Sequence, residues 1–208
     1  EAEATQNFLS AQVNYPKLLG MQTNLYKCFL PLAWKNGSKK GVSGFLHPEG
    51  VYDDSKGGVF RRELYSRLKG HFQYLNKRKL FPIGDSKKFS ANIYLSRMSS
   101  RVLFDSISNL FLPKTIDSSY LHSGDEIIGG IKNELGSDWN DAGHKNRILK
   151  VDFELLNLFA RLYDEPGTHG LEARLPTLHA LEFIPVLRKF TSQSRRLGDL
   201  KSNYVGLE

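Results

Sequence analysis

The sequence predicts an α/β fold in which helices flank a partial sheet. Two observations between residues 41 and 95 lead to this prediction. Three apolar runs are separated by turn residues, as strands are. Between the first two runs, apolar residues recur four apart, which is typical of an amphipathic helix. The alternation of strand and helix therefore indicates the α/β class.

The three strands are predicted at residues 41–46, 71–75 and 87–95. The first ends where Pro48 and Gly50 interrupt extended structure. Because His47 and Glu49 lie at this interruption, they are interpreted as turn residues rather than as acid–base groups. The second and third strands are joined by a loop that contains several lysines and a Phe-Pro pair.

Two helices are predicted beside these strands. One covers residues 58–68 and is expected to turn its arginines to solvent, because the apolar residues recur four apart: Phe60, Leu64 and Leu68. The other covers residues 18–34, although Pro31 falls inside its pattern and makes its boundary less definite.

A second region follows the third strand. Residues 101–111 are short and mixed in pattern, and residues 114–146 are rich in Ser, Gly, Asp and Asn, which predicts loops. A long helix is predicted to begin near residue 151, with Asp152 as its N-cap, and to stop at residues 164–167. A last apolar segment, residues 178–187, precedes a basic tail that includes Arg195 and Arg196.

Composition narrows the possible partners and location. The 208 residues carry a formal net charge of +7, which favours an acidic polymer as partner. The single cysteine, Cys28, excludes an internal disulfide and predicts a buried thiol. No apolar run reaches the length of about 18 residues needed to span a bilayer, and no signal peptide is seen. We therefore expect a cytoplasmic protein with no membrane partner.

The loop between the second and third strands is a candidate DNA-binding element. Five cations are brought close together there, and no acidic partner is expected near them except Asp85: Lys77, Arg78, Lys79, Lys87 and Lys88. Such cations would neutralise phosphates. The alternative is a solvated hairpin whose lysines block edge pairing.

Another group of polar residues lies in the loop-rich region: His122, Asp125, Glu126, Asp138, Trp139, Asp141 and His144. These residues lack the spacing of a metal site or of a nuclease core. They are interpreted as loop and capping residues, and no metal site is predicted.

Several long motifs carry a family resemblance. They are NLYKCFLPLAW (24–34), GVSGFLHPEGVYDDSKGGVFRRELYSRLKGHFQYLNKRKLF (41–81), WNDAGHKNRI (139–148) and LEARLP (171–176). Together they resemble γ-class, S-adenosylmethionine-dependent DNA adenine-N6 methyltransferases, in particular the large methylases of Eco57I-type restriction–modification and phage-exclusion systems. One departure is visible, since the family tends to carry Asn-Glu where this chain has Asn76-Lys77.

The resemblance implies a partial methyltransferase-type, Rossmann-like sheet made of its last three strands. It also implies transfer of a methyl group from S-adenosylmethionine to adenine N6 by the parent protein. Phe81 and Pro82 lie where the resemblance places an aromatic face for a base rotated out of the duplex. The alternative is that Phe81 ends a buried strand. Phe89 is expected in the core.

Two family motifs are absent from the sequence. Neither an Asp-Pro-x-x-Gly-x-Gly-like cofactor motif nor an Asn-Pro-Pro-Tyr motif occurs, and the glycine pairs 57–58 and 129–130 do not follow a predicted strand with an acidic residue. We therefore expect an excised fragment that contains no catalytic, cofactor-binding or metal-ligating residues. Alone, it should neither methylate DNA nor bind S-adenosylmethionine.

The resemblance also suggests a division of the chain. Residues 1–98 are assigned to the C-terminal part of a catalytic domain, residues 99–206 to a mixed, mainly helical segment leading toward a target-recognition domain, and residues 207–208 to an expression-tag remnant. The expected partners are double-stranded DNA and the remainder of the methyltransferase polypeptide. At the cut edge of the sheet we expect either a homodimer or coverage by the N-terminal or C-terminal helices. The alternative function is a non-catalytic DNA-binding or assembly module of a defence complex.

Overall fold

The computed structural model describes residues 2–11, 13–22 and 24–194, and it has a mixed α/β fold that confirms the predicted class. Five strands form one sheet: β1 (Val42–Pro48), β2 (Leu68–Leu75), β3 (Lys88–Leu95), β4 (Leu103–Leu110) and β5 (Leu149–Asp152). The α-helices of the described residues are α1 (Ala2–Ser10), α2 (Leu25–Asn36), α3 (Gly50–Asp53), α4 (Gly58–Tyr65), α5 (Lys114–Leu121), α6 (Phe153–Tyr163) and α7 (Phe183–Thr191).

The strand order in the sheet is β1-β3-β2-β4-β5. β3 is antiparallel to both of its neighbours, with Gly44 opposite Ile93 on one side and Phe72 opposite Ala91 on the other. β1 and β2 are therefore parallel to each other, and helices α3 and α4 connect them. Because parallel strands end on the same side, the segments that follow β1 and β2 meet at one edge, which we call the carboxyl edge.

All three predicted strands are present, and two further strands join them. β4 lies within residues 101–111, for which no strand was predicted. Ser106 and Ser108 are buried there among apolar residues, so polar and apolar side chains do not alternate as they do in a half-exposed strand. β5 has only four residues, which is too short for a period to be visible. Strands from beyond residue 99 thus extend the same sheet, in addition to the helices expected there.

One face of the sheet is covered by α2, α4 and α6. The core between these helices and the sheet includes three large buried side chains from the helices, Trp34, Phe60 and Phe159. Arg61 is buried as well, so the expectation that the arginines of α4 face solvent is wrong for this residue. Its guanidinium donates to the carbonyl oxygens of Asp54 at 2.6 Å and Glu172 at 2.9 Å, which satisfies the buried charge with backbone acceptors.

The opposite face carries a smaller core, centred on Tyr74, Phe89, Ile107 and Leu110. Ile116 of α5 packs against it. The expectation that Phe89 belongs to the core is confirmed. Toward β1 the same face is open, with apolar side chains in contact with solvent: Val42, Leu46 and Ile93.

The helix ends follow local capping rules. The Asp152 carboxylate accepts from the amide of Leu155 at 2.9 Å, which confirms it as the N-cap of α6. α2 begins at Leu25, later than predicted, after Asn24 as its N-cap, and it continues through Pro31. Cys28 on this helix is a buried free thiol, as expected. Within the described ranges no helix is long and apolar enough to cross a bilayer. Arg195, Arg196 and residues 207–208 lie outside the described residues.

The open edge of β1 generates the first prediction. In the described part of the chain β1 pairs only with β3, and two of its outward residues, Val42 and Leu46, are more than half exposed. We expect the chain to form dimers through this edge, and the pair of substitutions Val42→Lys and Leu46→Lys to shift it toward monomer, since edge lysines oppose strand pairing.

Light scattering at micromolar concentration measures this association. Val59→Lys, which adds a charge at an exposed position of α4, is the control and should leave the dimer intact. A wild-type chain that is monomeric throughout the concentration range would contradict the prediction.

Candidate nucleic-acid interface

The candidate DNA-binding loop, residues 76–88, follows β2 and lies at the carboxyl edge. It begins with a 3₁₀ turn, Asn76–Arg78, after which Lys79 takes a left-handed conformation with φ of 50°. The loop returns to the sheet at Lys88, where β3 starts. The turn after β1, residues 49–53, lies at the same edge.

Asn76 organises the loop from inside. It is fully buried, and its side-chain amide donates to the carbonyl oxygens of Phe81 at 3.0 Å and Ile83 at 2.9 Å. Its side-chain oxygen accepts from the amide of Phe81 at 3.2 Å. One buried side chain therefore holds the backbone on both sides of Pro82, and this fixes the position of the Phe81 ring.

Phe81 is partly exposed and lies outside both flanking strands, so it does not end a strand. Its exposed fraction is 38%, and Pro82 beside it is exposed as well. The inner side of the Phe81 ring meets Phe89 edge-to-face, with centroids 5.1 Å apart and planes at 88°. Phe89 in turn stacks on Tyr74 at 5.3 Å. The Phe81 ring is thus supported from below by core aromatics while part of its surface meets solvent.

The five predicted cations have different surroundings. Lys77 pairs with Asp85 at 3.2 Å. Arg78 pairs with Asp138 at 3.1 Å and Asp141 at 2.9 Å, so the expectation that Asp85 is the only nearby acid is wrong. The chain brings residues 138–141 back onto the loop, and local sequence does not show such a contact.

The remaining three cations, Lys79, Lys87 and Lys88, are exposed. The described residues place no carboxylate within ion-pair distance of them. Beside the loop, the ammonium of Lys132 lies 3.6 Å from the ring centroid of Trp139. The surface around Phe81 is therefore basic, although Arg78 is already neutralised by two carboxylates.

Glu49 lies in the turn after β1 and belongs to a buried polar cluster. Its carboxylate is 3.2 Å from Nε2 of His71 and accepts from the side-chain amide of Gln73 at 3.0 Å. Gln73 also donates to Thr177 at 2.9 Å. Burial opposes ionisation of Glu49, but the charge of His71 and hydrogen bonds from His71, Ser90 and Gln73 outweigh it, so the pKa of Glu49 lies below its ordinary value.

His47 is likewise inside the structure, as part of β1. Its Nε2 is 3.0 Å from the hydroxyl of Tyr94, which is 2.9 Å from the hydroxyl of Tyr52. Tyr52 donates to Asn92 at 2.5 Å. Burial lowers the pKa of His47, so the imidazole is neutral within this network. The interpretation as a turn residue is wrong for His47, which lies in β1, and is confirmed for Glu49, although both side chains are buried with specific partners.

A cavity of about 240 Å³ opens beside this cluster at the carboxyl edge. It is lined by residues from three separate parts of the chain: Glu49, Tyr52, Asp53, Gln73, Lys88, Tyr163, Arg174, Leu175, Pro176 and Thr177. This cavity was not predicted from the sequence. The position of Glu49 at the end of a strand was an available signal, since ligands of α/β sheets bind there. Arg174 and Thr177 carried no comparable signal.

The structure brings together His122, Glu126 and His144, whose ligand atoms lie within 4.8 Å of one another. The hydrogen bonds of His144 decide whether an ion fits. Its Nδ1 accepts from the amide of Asn146 at 3.0 Å, so its Nε2 carries the proton and donates to the carbonyl oxygen of Glu126 at 2.8 Å. His144 in this arrangement has no free lone pair, and the group does not fit a metal ion.

The two glycine pairs do not fit an S-adenosylmethionine loop. The first, residues 57–58, stands at the start of α4 after the short helix α3. The second, residues 129–130, lies in the loop after α5. A dinucleotide- or cofactor-type loop needs the end of a strand directly before the glycines, and neither pair has one.

Comparisons with known proteins give distant structural similarity but no family. No protein-family model matches the chain, and no curated protein matches it. Among solved structures, the type IIG restriction endonuclease BpuSI is similar with a TM-score of 0.44 and 13% sequence identity, over 77% of this chain and 19% of that chain. This chain therefore spans about a fifth of that neighbour, which is a restriction enzyme. At this TM-score the similarity does not establish a common fold.

Asn76→Ala tests the organisation of the loop. The substitution removes the side-chain hydrogen bonds to the carbonyl oxygens of Phe81 and Ile83 and to the amide of Phe81, although the Phe81 carbonyl oxygen keeps the amide of Ile83 at 2.8 Å. We therefore expect the free energy of unfolding to fall by about 2 kcal/mol. Urea denaturation measures the change. Asn36→Ala at the exposed end of α2 is the control, expected to change stability by less than about 0.5 kcal/mol. Equal effects of the two substitutions would show that Asn76 does not organise the loop.

Glu49→Gln tests the buried cluster through its pH dependence. A carboxylate with a lowered folded-state pKa stabilises the fold fully above its unfolded value of about 4.5, and this contribution is lost as the pH falls through the folded-state pKa. The wild-type protein should therefore lose stability below about pH 4.5, and Glu49→Gln should lose less over the same range.

His47 accounts for a separate pH window. Its pKa is lower in the folded than in the unfolded state, so as the pH falls His47 is protonated in the unfolded chain before it is protonated in the folded protein. The free energy of unfolding therefore declines below about pH 6.5 in the wild type and in Glu49→Gln alike. Thermal unfolding between pH 3 and 8 separates the two windows. Glu134→Gln, in an exposed loop, should behave as wild type. Parallel curves for Glu49→Gln and wild type below pH 4.5 would rule out the assigned role of Glu49.

Proposed function

We propose that the chain is part of an S-adenosylmethionine-dependent DNA adenine-N6 methyltransferase of restriction–modification type, acting in the cytoplasm. In this proposal the loop of residues 76–88 binds DNA, and Phe81 stacks on an adenine rotated out of the duplex. The observation that carries the proposal is the partly exposed Phe81 ring, which is held against core aromatics in a loop whose Lys79, Lys87 and Lys88 form no ion pair with the described residues.

Stacking accounts for the geometry at Phe81. Rotating a base out of a duplex costs a few kcal/mol, and stacking on an aromatic ring contributes about 1–3 kcal/mol per base. A ring that offsets this cost has to be accessible, and it has to be fixed in place before binding. Phe81 is 38% exposed, and its position is set by Phe89 and by the hydrogen bonds of Asn76.

The lysines supply contacts to phosphates. Lys79, Lys87 and Lys88 extend from the loop and the start of β3, on either side of the Phe81 ring in sequence. A phosphate bound by an exposed lysine releases a counterion, so the binding weakens as salt rises. Arg78 contributes less to DNA binding, because Asp138 and Asp141 already neutralise it.

The rest of the enzyme comes from other parts of the parent polypeptide in this proposal. The cofactor loop and the Asn-Pro-Pro-Tyr motif would lie there, together with the residues that hold S-adenosylmethionine. The second candidate function is a non-catalytic DNA-binding module, which the same lysines and aromatic ring would also support. Transfer of labelled methyl from S-adenosylmethionine to DNA by the complete protein separates the two functions.

Phe81→Ala tests the stacking role in the chain itself. We expect affinity for a duplex with one unpaired adenine to fall about tenfold or more, corresponding to the loss of roughly 1–3 kcal/mol of stacking. Phe81→Trp should retain the affinity, since a larger aromatic face also stacks. Fluorescence anisotropy gives the affinities, and Phe29→Ala, at a more exposed phenylalanine of α2, is the control. Unchanged binding by folded Phe81→Ala would exclude stacking.

The double substitution Lys87→Ala and Lys88→Ala tests the phosphate contacts. It should weaken binding to all DNA sequences alike and reduce the slope of log affinity against log salt by about one to two. Lys39→Ala with Lys40→Ala removes the same charge before β1, at the opposite edge of the sheet. If both double variants lower affinity and slope equally, net charge rather than the loop explains the binding.

A further inference from the structure

The cavity beside Glu49 is separate from the Phe81 ring. Successive side chains of a strand point to opposite faces of a sheet. On β2, Gln73 lines the cavity while Tyr74 lies in the smaller core under Phe81. On β3, Lys88 lines the cavity while Phe89 supports the Phe81 ring. The two features share the carboxyl edge but occupy opposite faces, so a ligand in the cavity does not replace a base at Phe81.

Two carboxylates line one side of the cavity. The buried carboxylate of Glu49 accepts hydrogen bonds from Gln73 at 3.0 Å and from Ser90, and it lies 3.2 Å from Nε2 of His71. The Asp53 side chain is exposed beside it, and no ion pair of Asp53 is formed among the described residues. A ligand that enters must therefore present donors to this part of the cavity.

The remaining walls fit a flat ring and an anionic group. Tyr52 and Tyr163 contribute aromatic surface. Lys88 and Arg174 lie on the solvent side, where Lys88 has no carboxylate partner in the described structure and Arg174 is held by Asp164 at 2.8 Å. The volume of about 240 Å³ lies below the range of about 300–1,000 Å³ that is typical for drug-sized ligands, so one ring system fits.

We propose that this cavity binds a nucleotide whose base carries an exocyclic amino group, with the amino group facing Glu49 and Asp53 and the phosphate near Lys88. The inference rests on the proposed DNA-binding function, because that function supplies nucleotides as ligands. Adenine, cytosine and guanine have such an amino group. Thymine has no exocyclic amino group, and its one ring donor, N3–H, lies between two carbonyl oxygens, so a carbonyl oxygen would face a carboxylate where the other bases place an amino group.

Calorimetry of the chain with deoxynucleoside monophosphates tests the proposal. We expect saturable binding of dAMP, dCMP or dGMP and at least tenfold weaker binding of dTMP. Glu49→Gln should narrow this difference, because an amide can donate to a carbonyl where a carboxylate cannot. Asp53→Asn is a second variant with the same expectation, and it keeps the size of the side chain at an exposed position. Equal affinities for dAMP and dTMP in the wild type would overturn the proposal.

Lys88→Ala tests whether the phosphate of the nucleotide lies near Lys88. It should weaken dAMP binding and leave deoxyadenosine binding unchanged, whereas Lys39→Ala should change neither. Loss of both ligands in folded Lys88→Ala would overturn the assigned orientation. DNA binding that depends on Phe81, without nucleotide binding to the cavity, would refute this inference alone. Nucleotide binding with no affinity for DNA would instead refute the proposed function.

Discussion

The placement of β3 between β1 and β2, antiparallel to both, is the constraint on which the site depends. It makes β1 and β2 parallel, so the turn after β1 and the loop after β2 meet at one edge of the sheet. The buried cluster around Glu49 and the ring of Phe81 therefore lie at the same edge because of strand order.

The alternation of side chains along β2 and β3 then divides this edge into two faces. Tyr74 and Phe89 support the Phe81 ring on one face, and Gln73 and Lys88 line the cavity on the other. A one-residue slip of the β2–β3 register would exchange these side chains between the faces. The backbone hydrogen bond from the amide of Asn76 to the carbonyl oxygen of Lys87, at 3.1 Å, opposes such a slip, because it joins both ends of the connection between the two strands.

The sequence predicted the features that depend on local pattern. The three strands of the first region, the cap at Asp152 and the buried position of Phe89 all follow from periodicity and capping rules. Features that depend on distant partners were missed. Arg61 can be buried because its guanidinium donates hydrogen bonds to backbone carbonyl oxygens, one of which belongs to the distant residue Glu172. Arg78 is neutralised by Asp138 and Asp141, some sixty residues away, which no local charge count reveals.

Hydrogen exchange of the chain with and without DNA tests the central claim most directly, namely that the carboxyl edge faces the nucleic acid. The account predicts that added duplex slows amide exchange in residues 76–88 and leaves residues 37–41, at the opposite end of β1, unchanged. Slower exchange at residues 37–41 or in α7, with none in residues 76–88, would contradict the account and place any DNA contact elsewhere on the molecule.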